Sequence, residues 1–305
     1  MIYGIIDVGS NTVRLTIYQY DNKELKSLLH KKTMVGLAGY VEKGEMSQKG
    51  IEKAWEIIAE YKDILHNFSI TNIYVFATAS LRNIINTEEV VRKIRESTGV
   101  QVDVISGEEE GVLDYVGATY ALNITDGLLV DIGGGSTELV SYKNGQIVNS
   151  ISMPIGSLSL FTKHVSKLIP KKSEKEAIVE EIRSELAKIS GNEEGAFEEI
   201  CGVGGTIRAT GKLMNDLLET EVKNSMDYKQ LEKLLKLLNN RKKETYRRIL
   251  RVVPDRIHTI IPGMMILDEI VKHFDSKLIQ ISNYGVREGY LYSKVLKDGV
   301  QRVKG

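Results

Sequence analysis

The 305-residue sequence has little cysteine, tryptophan or proline: it contains one, one and four of them. Since Cys201 has no second cysteine to pair with, an internal disulfide is excluded and a reducing, cytoplasmic location is expected. No stretch reaches the roughly 20 apolar residues that a membrane helix needs, and the opening MIYGIIDVGSN carries no basic leader. The 41 Lys and Arg residues balance the 41 Asp and Glu residues, so no net charge favours nucleic acid or a membrane surface as partner.

What is present is the composition of a soluble globular protein, with 42% hydrophobic and 27% charged residues. A chain of this length exceeds one ordinary hydrophobic core and suits two domains. The polar stretch Asn123–Gly127 interrupts the apolar pattern near the middle of the chain. We therefore expect an N-terminal domain over residues 1–124 and a C-terminal domain over residues 125–305. The packing of the last helix, from Val286, onto one domain or the other is left open.

Two segments repeat one order of features: an apolar strand, an aspartate, a glycine turn and a returning strand. The first comprises Tyr3–Val8 and Thr12–Tyr18, and the second comprises Leu128–Ile132 and Thr137–Tyr142. Both are followed by alternating helical and strand patterns, which indicates an α/β fold. Two such units facing each other would form a cleft, the usual place for a ligand.

The two glycine turns have the chemistry of phosphate-binding loops. Glycine lets successive backbone N–H groups turn toward phosphate oxygens, and neighbouring hydroxyls add donors. An aspartate beside such donors suits an anion only when a divalent cation lies between them, and Mg²⁺ joins carboxylates, waters and phosphate oxygens in this way. Glu138 follows the second turn and would serve the same cation. The candidate residues are Asp7, Gly9, Ser10, Asn11 and Thr12 in the first loop and Asp131, Gly133, Gly134, Gly135, Ser136 and Thr137 in the second.

Each loop alone is equally well interpreted as an ordinary β-hairpin, for which Gly and Asp are common. Two such loops in corresponding places favour ligand binding. A third turn, Gly204-Gly205, follows a strand and opens a helix at about Thr206. We expect these two glycines to bind phosphate at the helix start, with a tight turn for close packing as the alternative.

Three further groups of charged residues are candidates for the active site, and each also has a simpler structural explanation. Of the carboxylates at 108–110, one would act as general base for water, although acids in a first helical turn are also explained by the helix dipole. Arg82 suits bidentate phosphate binding or is merely solvated. A basic stretch would line a path for a polyanion or form a solvated helix face; it contains Arg241, Lys242, Lys243, Arg247, Arg248 and Arg251.

Six runs carry a resemblance that spans nearly the whole chain: IIDVGSNTVRL, FATASLRN, VISGEEEG, LLVDIGGGSTELV, GVGGTIRAT and NYGVREGYL. In this order they resemble the exopolyphosphatase/guanosine pentaphosphate phosphohydrolase (Ppx/GppA) family. DIGGGSTEL together with SGEEE is more specific than either glycine loop alone. The resemblance implies two ribonuclease-H-like domains of the acetate and sugar kinase/heat-shock 70/actin superfamily, with the active site in the interdomain cleft.

By position, the resemblance implies that Glu110 polarises the attacking water and that Arg82 binds phosphate. It also assigns the two glycine loops to phosphate, with Glu138 as a further carboxylate on the metal side. Catalysis would then consist of positioning and charge neutralisation.

The sequence departs from the family pattern at three places. Gly36, in MVGLAG, stands where many relatives carry a basic residue, and Arg256-Ile257-His258 replaces a segment that tends to read R-A-D. The sequence ends soon after VREGYL, so a short two-domain member without the C-terminal helical extension of longer relatives is expected. The first two changes bear on substrate preference.

The sequence therefore predicts an Mg²⁺-dependent hydrolase that removes the terminal phosphate of inorganic polyphosphate, with guanosine pentaphosphate as the alternative substrate. An ATP-using kinase or filament ATPase is disfavoured because no acceptor pocket can be recognised. A non-catalytic sensor of polyphosphate or the alarmone is disfavoured because Glu110, Asp131 and Glu138 are all retained. A homodimer is left open.

Overall fold

A computed structural model of the chain describes residues 1–189, 197–239 and 243–297. The chain divides into two compact units, Met1–Gly107 and the remainder from Glu108. This division precedes the boundary expected at residues 124 and 125 and assigns the helix that begins at Gly107 to the second unit. No helix within the described residues is long and apolar enough to cross a membrane.

The first unit is built on a five-stranded sheet in the order β3-β2-β1-β6-β7. Its first three strands form an antiparallel meander, and β6 and β7 extend the sheet in parallel from β1. The carboxyl ends of β1, β6 and β7 therefore meet at one edge. The elements are β1 (Ile2–Val8), β2 (Thr12–Asp21), β3 (Glu24–Met34), β4 (Val41–Glu42), β5 (Glu45–Met46), α1 (Gln48–Asn67), β6 (Ile73–Ala77), α2 (Ala79–Arg82), α3 (Thr87–Thr98) and β7 (Val102–Val104).

Helix α1 covers this sheet because its apolar residues recur on one face. Ser47 caps its start by accepting a hydrogen bond from the Gly50 amide at 3.4 Å. The helix approaches β1 so closely that a Cβ on Gly4 would lie 2.5 Å from a methyl carbon of Leu65. Glycine in β1 thus sets the distance between helix and sheet.

The second unit repeats the arrangement with a six-stranded sheet in the order β10-β9-β8-β11-β13-β12. Strands β8, β9 and β10 form the meander, and β11 and β13 run parallel to β8. The elements are α4 (Gly107–Ala121), β8 (Gly127–Ile132), β9 (Thr137–Lys143), β10 (Gln146–Met153), α5 (Ser157–His164), α6 (Lys172–Ile189), β11 (Glu199–Val203), α7 (Gly204–Leu218), β12 (Ser225–Asp227), α8 (Tyr228–Asn239), α9 (Lys243–Val252), α10 (Ile260–His273), β13 (Leu278–Ile281) and α11 (Val286–Tyr290), followed by a π-helical turn at Leu291–Val295.

Helix α10 is the core helix of the second unit. Its sequence IIPGMMILDEIV is apolar nearly all round, and all but one of residues 260–271 are buried. A Cβ on Gly263 would lie 2.5 Å from Cγ2 of Thr206, so α10 and α7 touch closely at this position.

The duplication extends to the edges of the sheets. Each third strand, β3 and β10, carries a bulge opposite its neighbour, which leaves Leu28 and Val148 as the extra residues. Their side chains are 46% and 67% exposed. Bulges of this kind twist an edge strand away from pairing with another chain.

The predicted α/β fold is confirmed, including both hairpins. Helix α7 begins at Gly204, two residues before the predicted start, and the short edge strand β12 was not predicted. In the basic stretch, Arg241 and Lys242 lie outside the described residues, whereas Lys243 begins α9.

Candidate active site

The first glycine loop connects β1 to β2 as a tight turn. The Gly9 amide donates to the carbonyl oxygen of Thr12 at 3.1 Å, and a Cβ on Gly9 would lie 3.0 Å from that oxygen. The carbonyl groups of Ser10 and Asn11 accept hydrogen bonds from backbone amides of the segment that follows β3. The loop is therefore supported through its carbonyl oxygens.

The second loop has the same construction. The Gly133 amide donates to the carbonyl oxygen of Ser136 at 3.0 Å, and a Cβ on Gly133 would again lie 3.0 Å from that oxygen. The carbonyls of Gly133 and Gly134 accept from amides in the first turn of α5. A Cβ on Gly156, at the start of α5, would lie 2.5 Å from the Gly134 backbone, so no larger residue fits there.

Both loops present backbone donors at their tips. Across the described residues, no backbone-to-backbone hydrogen bond uses the amides of Ser10, Asn11, Gly134 or Gly135 as donor. Consecutive amides in a tight turn form a concave seat for an anion. Thr137, by contrast, is completely buried and its hydroxyl donates to the Ile155 carbonyl at 2.7 Å, so it supports the second turn from inside.

The two hairpins differ in charge at one equivalent position. Asp7 lies opposite Arg14 in the register of β1 and β2, and the Arg14 guanidinium is 3.7 Å from its carboxylate. Asp131 lies opposite Glu138 in the register of β8 and β9. The first hairpin is thus neutralised internally, whereas the second concentrates negative charge. Arg14 was not predicted as a site residue, although it lies in the run IIDVGSNTVRL.

Four carboxyl groups of the second unit lie close enough for electrostatic interaction around Asp114. They are Glu110 and Asp114 from α4, Asp131 from β8 and Glu138 from β9. Burial raises the pKa of Asp114 well above its ordinary value, and the charges of the other three raise it further, while the Val286 amide acts in the opposite direction. The Val286 amide is near enough to favour the charged form, yet neither Asp114 oxygen forms a hydrogen bond of good geometry within the described residues. Asp114 was not predicted, yet it lies four residues after Glu110, which is the same face of a helix.

Burial separates the three glutamates at the start of α4. Glu108 is exposed, and Glu109 pairs with Lys294 of the π-helical turn. Glu110 is 7% exposed and belongs to the group of four carboxyls. It is therefore the member of the triplet that the structure places among the other acids.

Asp131 and Glu138, opposite each other in the hairpin, are the two carboxylates of this group that could hold a divalent cation. Glu138 is completely buried, and its Oε1 accepts from Ser152 at 2.9 Å. Within the described residues, no three His, Cys, Asp or Glu side chains form a metal-binding group by themselves. Mg²⁺ does not require one, because it commonly binds one or two carboxylates and takes its other ligands from water and phosphate.

Arg82 ends α2, directly after β6. One of its guanidinium nitrogens donates to the Ile105 carbonyl at 3.3 Å, just beyond β7. Asp7 at the end of β1 belongs to the same edge of the first sheet. In open α/β sheets, ligands bind at the carboxyl edge of the strands.

Three other residues noted in the sequence, Gly36, His258 and Cys201, have roles in the backbone or in packing. Gly36 has φ +64°, so the basic residue that the resemblance led us to expect at this position would need a left-handed backbone. His258 packs edge-on against Phe161, and burial lowers its pKa. Cys201 is buried, and burial raises the pKa of its thiol to about 12, which makes it an inert core residue.

The basic helix α9 is partly engaged in internal ion pairs. Arg248 and Arg251 bind the two oxygens of Asp216 on α7, at 2.7 and 2.6 Å. Arg247 is 77% exposed and lies 3.8 Å from Glu244. The solvent-facing charge of α9 is thus smaller than the sequence suggested.

A model of the Ppx/GppA phosphatase family matches residues 16–298. The chain belongs to this family. Among solved structures, the Aquifex aeolicus Ppx/GppA family member is 30% identical, with 98% of both chains covered and a TM-score of 0.80. An exopolyphosphatase from Cytophaga hutchinsonii is 21% identical over 96% of this chain and 97% of that one, with a TM-score of 0.83, and supports the fold alone.

A curated relative in the Ppx/GppA family is the guanosine-5'-triphosphate,3'-diphosphate pyrophosphatase of Vibrio atlanticus (strain LGP32). It is 25% identical over 297 residues, which cover 96% of this chain. The chain spans 59% of the length of that relative.

Proposed function

We propose that this Ppx/GppA protein is an exopolyphosphatase that hydrolyses the terminal phosphate of inorganic polyphosphate with the help of Mg²⁺. The charge difference between two hairpins of the same construction supports this proposal. The first offers backbone amides and the Arg14 guanidinium, whose charge Asp7 balances, and N–H donors of both kinds suit phosphate oxygens. The second offers backbone amides together with Asp131 and Glu138, which suit a phosphate only through a metal ion.

Each residue then has a defined task in the reaction. The Glu110 carboxylate accepts a proton from water while the water oxygen forms a bond to the terminal phosphorus. The anhydride P–O bond breaks, releasing orthophosphate and a chain shortened by one phosphate. Arg82 and Arg14 would neutralise the phosphate oxygens, and the loop amides would orient them. A cation held by Asp131 and Glu138 would stabilise the charge that develops on the leaving and transferred oxygens.

The alternative substrate is guanosine pentaphosphate. The name of the Vibrio relative favours it, because that protein is called a pyrophosphatase of guanosine-5'-triphosphate,3'-diphosphate. The exposed Arg247 on α9 favours a long polyanion instead.

A phosphate-release assay decides between these substrates. Short polyphosphate, long polyphosphate and guanosine pentaphosphate are compared at equal phosphate concentration, each with Mg²⁺ and with a chelator. The proposal requires the highest kcat/KM on polyphosphate and loss of release with chelator. Binding of these compounds without turnover would instead identify a sensor.

A further inference from the structure

The third glycine turn lies against the aspartate of the second loop. Strand β11 runs parallel to β8 with Val203 opposite Asp131, so α7 begins at the sheet edge where Asp131 stands. A Cβ placed on Gly204 would lie 2.1 Å from Oδ1 of Asp131 and 2.9 Å from its Cγ. The carboxylate therefore occupies the space that any side chain at position 204 would need.

The backbone of Gly204 adds a second requirement for glycine. Its φ is +81°, in the left-handed region that residues with a Cβ rarely adopt. The 15-residue helix α7 receives no side-chain cap from Val203, and its first turn contains no acid. The Asp131 carboxylate thus stands at a helix N-terminus whose partial positive charge favours an anion.

A separate contact fixes this helix start to the end of β8. The Thr206 hydroxyl donates to the Ile132 carbonyl at 2.8 Å, and Thr206 is 1% exposed.

Asp131 also faces the acid Glu138 across the hairpin. Like charges in register destabilise a hairpin, so the helix N-terminus partly offsets this repulsion.

We propose that Gly204 is a positioning residue for Asp131: it leaves room for the carboxylate at the start of α7 and fixes the direction in which its oxygens point. Gly204 then acts on the divalent cation through Asp131, and not by seating a phosphate group. This inference rests on the proposed role of Asp131 as a cation ligand. It replaces the phosphate-binding role that the sequence alone assigns to Gly204.

The test is equilibrium Mn²⁺ binding to the whole chain without substrate, measured by calorimetry and by the electron spin resonance of unbound Mn²⁺. Gly204→Ala is expected to weaken Mn²⁺ binding at least about tenfold. The matched control is Gly211→Ala on the same helix, where a Cβ would meet only the side-chain ends of Val222 and Ile281, at 3.2 and 3.3 Å. Its Mn²⁺ affinity is expected to remain within about twofold of wild type.

The kinetic readout separates the two possible roles of Gly204. If it acts through the cation, raising the Mn²⁺ concentration restores the KM for polyphosphate in Gly204→Ala. Wild-type Mn²⁺ affinity combined with a raised KM that Mn²⁺ cannot restore would overturn the proposal.

A thermal cycle tests the contact itself and covers the case in which Gly204→Ala does not fold alone. Asp131→Ala removes the atoms that the new Cβ would meet. Gly204→Ala should therefore lower the Tm less in the Asp131→Ala background than in wild type. Equal losses in both backgrounds, or a double variant that fails to fold, would contradict the contact.

Failure of this inference is distinguishable from failure of the proposed function. If Mn²⁺ binding depends on Asp131 and Gly204 but no substrate is hydrolysed, only the function is wrong. If polyphosphate is hydrolysed and Gly204→Ala binds Mn²⁺ like wild type, only the positioning role is wrong.

Discussion

The Arg14 guanidinium lies 3.7 Å from the Asp7 carboxylate, at the position of the first hairpin that Glu138 occupies opposite Asp131 in the second. Both pairs are seven positions apart in sequence. The same type of hairpin thus contains an acid–base pair in one unit and two acids in the other. We expect the first hairpin to bind phosphate and the second to bind the cation.

Arg14→Gln should raise the KM for polyphosphate roughly tenfold to a hundredfold, because a hydrogen bond to a charged group contributes about 1.5–3 kcal/mol. The measurement is phosphate release at varied substrate concentration. Arg92→Gln is the control, since the Arg92 side chain is 59% exposed and pairs with Glu96 on its own helix. A KM unchanged from wild type would exclude Arg14 from substrate binding.

Asp131→Asn and Glu138→Gln should each weaken Mn²⁺ binding by at least about tenfold, since each removes one of two anionic ligands. The predicted metal role of Asp7 is tested in the same titration. Because Arg14 neutralises the Asp7 carboxylate, Asp7→Asn is expected to change the affinity by less than about threefold. A loss with Asp7→Asn equal to that with Asp131→Asn would restore Asp7 as a ligand.

Asp114→Asn should stabilise the protein at neutral pH and leave it unchanged in acid. The pKa of Asp114 is raised in the folded state, so the unfolded chain loses this proton first as pH rises above about 4. Folding stability from this group therefore falls as pH rises toward the folded pKa. Thermal scans with EDTA should show a Tm about 2–4 °C above wild type at pH 7.5, with no difference near pH 3.5. A variant less stable at both pH values would contradict a protonated, unpartnered acid.

Arg247→Gln should weaken binding of long polyphosphate a few-fold and leave short chains unaffected, because one exposed charge contributes modestly and only where the polyanion reaches it. KM is compared for two chain lengths at low and high salt. Arg248→Gln is a poorer probe, since Arg248 also holds Asp216 at 2.7 Å. An equal effect of Arg247→Gln on both lengths would remove α9 from the substrate path.

Much of this fold is readable from local patterns. The hairpins follow from apolar strands that end in Asp and a glycine turn, and α1 follows from the helical spacing of its apolar residues. The edge strand β12 has three residues and no periodicity, so no local signal predicts it. The ion pairs of Arg248 and Arg251 with Asp216 join residues more than 30 positions apart, which a charge pattern cannot reveal.

The residues of the candidate site also fall into those that the sequence predicts and those that it does not. The glycine loops and Glu110 lie in sequence runs that the family resemblance identifies. Asp114 is one of many helical residues in the sequence, and only tertiary packing buries it. A Cβ on Gly285, for example, would lie 2.8 Å from Oδ1 of Asp114. The contact of Gly204 with Asp131 arises because two distant strands are parallel neighbours. Such relations belong to tertiary packing and have no counterpart in the spacing of residues.

Phosphate release by Glu110→Gln tests most directly whether Glu110 is the base of a metal-assisted phosphohydrolase. Polyphosphate is supplied at saturation with Mg²⁺, next to Glu108→Gln, which alters an exposed glutamate of the same helical turn. We expect kcat to fall by about 10²–10⁴ in Glu110→Gln, with an unchanged Tm, and to stay near wild type in Glu108→Gln. Wild-type turnover by a folded Glu110→Gln variant would contradict the mechanism.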